Sequence, residues 1–168
     1  SENTKAIIIT HFAGWPADTI DEISKLCKHR NIKLIEDCAH SPGAMLNQRK
    51  TGTFGDYSCF SFFSNKNIAA GEGGMLGIRE IANYEKAQSI RSHGMTTNTL
   101  DRHKGRAFSY DVLMPGFNYR IDEIRAALGR CQLKKLGQDI VNRKLIYEIY
   151  LDQMRPLNIE IPFSNDGS

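Results

Sequence analysis

Apolar residues gather in short β-branched or aromatic blocks, at 5–10 (KAIIIT), 33–36 (KLIE) and 57–63 (YSCFSFF), with a fourth at 75–78 (MLGI) behind a glycine cluster. The first block reads as a buried parallel strand rather than a half-exposed edge. Between the first two, Ile20, Ile23, Leu26 and Cys27 share one helical face. Pro16 suits the first turn of that helix, with Asp18, Asp21 and Glu22 near its positive end and Lys28, His29 and Arg30 at its negative end. Strand, helix and strand make a βαβ unit with a right-handed crossover. Asp37 then stands at the carboxyl end of a parallel strand, where open α/β sheets place their ligands.

Further along, 49–56 (RKTGTFGD) reads as a turn or surface loop. A helix is predicted over 80–93, with Ile81, Tyr84, Ala87 and Ile90 in phase. Periodicity then dissolves over 94–112, a polar, basic stretch of the length that functional or mobile loops have. A helix over 121–136 is expected to bury Ile121, Ile124, Leu128 and Cys131. Gly137 ends it, and Asp139 opens a second helix carrying Ile140, Leu145, Ile146, Ile149 and Tyr150. A last strand is predicted at 159–162 (IEIP). The pattern divides the chain into 1–113, alternating strand and helix, and 114–168, mainly helical.

The chain has 168 residues, of which 40% are hydrophobic and 24% charged, the balance of a soluble globular protein. Its net charge of +3 is mild, and the basic residues of the later helices alternate with acids, so a solvated face is read there and no nucleic acid is expected. No apolar run reaches membrane-span length and no signal pattern opens the chain, which gives a cytoplasmic, non-membrane reading. The four cysteines form no C-x-x-C pair and read as small buried hydrophobes in a reducing compartment. The five histidines lack metal-ligand spacing, so no metal site is predicted.

Candidate chemistry concentrates at 61–74 (SFFSNKNIAAGEGG), where Lys66 sits between an apolar strand and three glycines that permit a sharply turned, enclosed segment. Each candidate has a plainer reading. Loop lysines ordinarily lie on the surface, Asp37 is a good turn former, and His40 can be a satisfied loop histidine.

Three pieces, IEDCAHSPGA at 35–44, SFFSNKNIAAGEGGM at 61–75 and GFNYRIDEIRAALGRCQL at 116–133, together with RSHGM at 91–95, resemble the DegT-type sugar aminotransferases, fold-type I enzymes that use pyridoxal 5′-phosphate (PLP). The resemblance implies an α/β fold: a partial fold-type I PLP-transferase large domain, mostly parallel sheet with flanking helices, then helices leading toward the small domain. It makes 1–113 the later part of the PLP-binding domain and 114–168 the helical connection and start of the small domain. Lys66 matches the Schiff-base lysine, whose amine must be neutral to attack the cofactor aldehyde and which then serves as general acid/base. Asp37 matches the carboxylate paired with the pyridine nitrogen, and His40 a residue lying over the ring. Ser61 matches a hydroxyl on the cofactor phosphate, and Asn118 an asparagine reaching that phosphate from a neighbouring subunit, which implies a homo-oligomer.

The implied reaction is transamination of a nucleotide-linked keto sugar with an amino acid, usually glutamate, as donor. Related sugar dehydratases lack the Schiff-base lysine, so Lys66 points away from them. The resemblance runs from about residue 7 to about residue 150, the middle of a family member roughly twice this length. A glycine-led helix start for the cofactor phosphate and a ring-stacking aromatic would precede Ser1. A fragment, a short product and one piece of a split protein all fit this coverage. The alternative function is a non-catalytic folded module or oligomerising remnant, for which an exposed sheet edge and apolar face are expected.

Overall fold

In the computed structural model, which describes residues 2–96, 105 and 111–161, the first two apolar blocks pair as predicted. β1 (Ala6–Thr10) runs parallel to β2 (Lys33–Asp37), and β2 parallel to β5 (Tyr57–Ser61), which pairs antiparallel with β6 (Gly74–Ile78). The sheet order is β1-β2-β5-β6. One face is covered by α1 (Ile20–His29), whose Ile20, Ser24 and Cys27 are buried at helical spacing. Ile20, Cys27, Leu34 and Phe54 form the core, with Ile7, Ile9, Ile23 and Ile32 packed around them. Across the opposite face run Ile8, Ile35, Tyr57 and Ile78 in register.

β1 is parallel, but it is not buried. It lies at the sheet edge, and Ile8, on the face away from α1, is 66% exposed. α1 starts at Ile20 rather than near Pro16, and the Ala17 N–H is taken by the His11 side chain. Residues 12–14 instead form a short 3-10 turn with Ala13 at φ 54°.

Residues 51–56 turn as expected, but 49–50 are strand, and Thr51, Phe54 and Gly55 are buried rather than at the surface. β3 (Met45–Leu46) and β4 (Arg49–Lys50) form a hairpin whose turn residues, Asn47 and Gln48, both have positive φ, as primed turns require. Beyond it the chain turns inward and buries Thr51 and Phe54. After β6 comes α2 (Ile81–Arg91), with no buried residue.

The two predicted late helices are one, α3 (Glu123–Met154). Asp122 caps it by accepting the Arg125 N–H at 2.8 Å. Gly137 and Asp139 lie in its interior. A glycine stops a helix when it turns left-handed just past the end, and Gly137 has no positive φ. The burial expected for Ile121, Ile124, Leu128 and Cys131 is absent: no residue of α3 is buried, and Ile124 is 83% exposed.

Residues 159–161 form no strand; a left-handed Asn158 turns the chain there. Cys27 and Cys38 are buried as expected, whereas Cys59 and Cys131 are exposed, and all four are free thiols. Of the long 94–112 segment, the ends pair through a Met95–Val112 bridge, while the basic cluster 102–106 lies, except for Gly105, outside the described residues. Among the described residues no helix is long and apolar enough to cross a membrane.

Candidate active site

The sheet ends in a buried polar knot built by Glu36. This fully buried carboxylate accepts the backbone N–H groups of Gly52 (2.7 Å), Phe54 (2.7 Å) and Gly55 (2.6 Å), and the Nε2–H of His11 (3.0 Å). Since His11 Nδ1 accepts the Ala17 N–H at 3.1 Å, its proton sits on Nε2. Burial pushes the Glu36 carboxyl up, yet the four donors outweigh it and hold the group below the usual carboxylate range. The ligand atoms of His11, Glu36 and Cys38 lie within 4.8 Å of one another. Both carboxylate oxygens and both ring nitrogens are already engaged, so the cluster is a hydrogen-bonded knot rather than a metal cage. Burial, then the Glu36 charge, pushes the Cys38 thiol up to about 12.

This knot fixes the strand ends on which the candidate residues stand. Asp37 is the last residue of β2, its carbonyl accepting the His11 backbone N–H at 3.0 Å. Asp37 Oδ1 takes the Ala39 N–H at 3.0 Å, the turn-forming role of the plainer reading. Oδ2 has no hydrogen-bond partner among the described residues. His40 Nδ1 accepts the Ala13 N–H at 3.3 Å, and its ring meets Phe12 edge to face at 5.9 Å.

Lys66 stands on a loop closed at its neck: Phe62 donates to Gly73 O at 2.9 Å, and Ala70 donates to Phe62 O at 2.8 Å. Buried Ile68 and Ala70 anchor the far side. Gly71 and Gly73 have positive φ, which makes this closure possible without strain. Lys66 is half-buried, and its amine has no hydrogen bond or ion pair among the described residues.

His40 and Lys66 share one cavity of about 590 Å³. The loops contribute Ala13, Gly14 and Trp15 on one side and Asn65 and Asn67 on another, and α3 closes it with Ile140, Arg143, Lys144 and Tyr147. Ser41 also lines it, buried, its hydroxyl without a hydrogen bond of standard geometry among the described residues.

The remaining predicted residues stand apart from this cavity lining. Asp37 adjoins it through Ala39, whereas Ser61 ends β5, its hydroxyl accepting the Phe63 N–H at 3.3 Å. Asn118 is exposed and bridges to Ser92 on a different part of the surface, beside the stacked rings of Phe117 and Tyr119. Sequence reasoning missed the His11–Glu36 pair and the α3 wall. An acid at an inward-facing strand position, followed by a glycine-rich segment rich in free N–H groups, was the signal for the first.

The sheet, its flanking helices and the strand-end loops make an α/β fold, part of the large domain of fold-type I PLP transferases. The chain belongs to the DegT/DnrJ/EryC1/StrS aminotransferase family, which matches residues 1–167. It is 36% identical to GDP-perosamine synthase of Escherichia coli O157:H7 over 157 residues, 94% of this chain and 40% of that protein. It also resembles the aminotransferase TlmJ of Streptoalloteichus hindustanus, with a TM-score of 0.82 and 30% identity over 94% of this chain and 40% of the other. A third similarity is to the E. coli GDP-4-keto-6-deoxy-D-mannose-3-dehydratase with bound hydrated PLP, at a TM-score of 0.78 and 33% identity over 92% of this chain and 42% of the other. The chain thus spans about two fifths of the length of the relatives it matches.

Proposed function

We propose that this chain takes part in PLP-dependent transamination of a nucleotide-linked keto sugar, with an amino acid, glutamate in the family's usual pattern, as donor. The observation that carries this reading is Lys66, half-buried on a pinned loop, facing the same cavity as His40 and without a side-chain partner among the described residues. The donor set fits PLP. Asp37 keeps one oxygen without a partner at the strand end, next to the wall that His40 and Lys66 line. PLP, when bound, supplies the electron sink for the developing carbanion.

On this reading Lys66 would hold the cofactor, and its amine would serve as the general acid/base of the site. The Asp37 carboxylate, oriented by the Ala39 N–H, would hold the proton of the pyridine nitrogen. His40, steadied by the Ala13 N–H, would help hold the cofactor ring. Ser61 would hold the phosphate, and Asn118, exposed and outside this cavity lining, would hold that of a second copy, which would make the active form a homo-oligomer. Lys66 favours amino transfer over dehydration, whose enzymes lack this lysine.

PLP titration of the purified chain tests the reading. The expected result is a visible absorbance band that borohydride fixes to the protein, that Lys66→Ala abolishes, and that Asp37→Asn leaves with weaker affinity. A folded protein with no such band would overturn it and leave the non-catalytic module.

A further inference from the structure

We infer that Arg143 on α3 is the seat of a phosphate group of the nucleotide-linked substrate. The inference rests on the reading that this cavity takes such a substrate, and it adds a residue from a part of the chain that none of the three motif roles covers.

Ile140, Arg143, Lys144 and Tyr147 follow the i, i+3, i+4, i+7 spacing of one helical stripe, and that stripe lines the cavity. The stripe is held there by Gly43. At φ +85° this residue lets α3 approach so closely that an added Cβ would lie 2.6 Å from Ile140 Cδ1 and 3.3 Å from Leu136 Cδ2. α3 therefore rests directly on the loop that carries His40.

Lys66, Arg143 and Lys144 line the cavity and no carboxylate does. Lys144 is loosely paired with Glu148 at 3.9 Å. Other arginines at the ends of α3 are paired, Arg125 with Asp122 and Arg155 with Asp152. Arg143 has Asp139 available four residues earlier, the spacing that favours an ion pair, yet it makes no ion pair or hydrogen bond among the described residues. An unpaired guanidinium on the wall of an acid-free cavity suits a phosphate, which it can grip with two parallel N–H donors.

This anion site is separate from the one assigned to the cofactor phosphate. Ser61, the contact assigned to the cofactor phosphate, is not among the residues lining this cavity. A cavity of about 590 Å³ lies within the range that holds a whole small ligand. Trp15 and Tyr147 add aromatic surface beside the cationic wall, suited to the sugar or base of a nucleotide.

Calorimetric titration of the full chain with GDP and with UDP tests this, alongside PLP titration followed by absorbance. Binding of a nucleoside diphosphate is expected, with Arg143→Gln weakening it by about tenfold to a hundredfold. Arg143→Lys should restore part of the loss, and Lys135→Gln, a charge on α3 outside the lining, should leave affinity within about twofold. PLP affinity should be unchanged in all three. Gly43→Val, which crowds Ile140, should weaken diphosphate binding with Arg143 intact. Unchanged diphosphate affinity in Arg143→Gln, or no binding by the unmodified chain, overturns the inference. So does a loss confined to PLP affinity, which would place the cofactor's own phosphate on Arg143. A missing PLP band in the unmodified chain, with diphosphate binding still dependent on Arg143, would instead overturn the transamination reading alone.

Discussion

Glu36 and α3 are opposite solutions to placing residues around one site. The Glu36 carboxylate is fully buried and takes four hydrogen bonds, so its cost of desolvation is offset by donors that would otherwise be orphaned themselves. α3 runs for 32 residues with no buried side chain. Its stability comes from its own hydrogen bonds, its cap and the contact at Gly43. On the proposed reading rigidity is needed most at Asp37 and His40, which follow the knot directly in sequence. The α3 wall needs only to present Arg143 and Tyr147.

Breaking the knot should give the largest effect. Glu36→Ala strands three backbone donors and the His11 ring in a buried site, so a loss of about 3–5 kcal/mol is expected in urea unfolding. Glu36→Gln keeps an acceptor of the same shape and should lose less. The knot also predicts an acid limb. The folded-state pKa of Glu36 is depressed, so its contribution is complete above the unfolded-state value, near 4.5, and is lost as pH falls through the lower folded value. Stability measured from pH 6 to pH 3 should therefore fall less steeply in Glu36→Gln. Asp56 and Asp122 add to the slope: burial pushes the Asp56 carboxyl up, but the Leu34 N–H and Lys33 together hold it low, and the Arg125 N–H and side chain hold Asp122 low.

How far the sequence carried this picture depends on whether one residue could be read locally. The parallel β1–β2 pair, α1 and the position of Asp37 were legible because apolar pattern, helix charges and strand ends agreed. The Lys66 loop was legible because its glycines are where positive φ is needed. Glu36 was not, since an acid at the end of KLIE looks like a strand terminus; only the alternation Leu34, Glu36 against Ile35, Asp37 places it inward. α3 was split in two because Gly137 followed by Asp139 imitates a stop and a cap. Arg143 was hidden for a related reason: an arginine with acids nearby on a helix reads as a solvated charge until the fold supplies the cavity.

A middle-sized effect tests the cap that starts α3. Asp122 accepts the Arg125 N–H and pairs with the Arg125 side chain at 2.8 Å, so Asp122→Ala should lower stability by about 1 kcal/mol. The loss should appear as faster amide exchange in the first turn of α3 and leave the Glu36 knot protected.

Exposed apolar residues on α3 should matter least. Ile146 on α3 is 53% exposed, and an exposed residue away from caps and cores changes stability by no more than about 0.5 kcal/mol. Ile146→Ser should therefore leave the urea midpoint nearly unchanged, where Phe54→Ala, at 1% exposure in the core, should cost about 3–5 kcal/mol. A large loss in Ile146→Ser would mean that this helix face is covered in solution. Concentration then decides what covers it: a loss that grows on dilution identifies a second copy, while one independent of concentration places the cover within the chain. Either result would move α3 to the same side of the comparison as Glu36, as an element held by burial rather than by its own backbone.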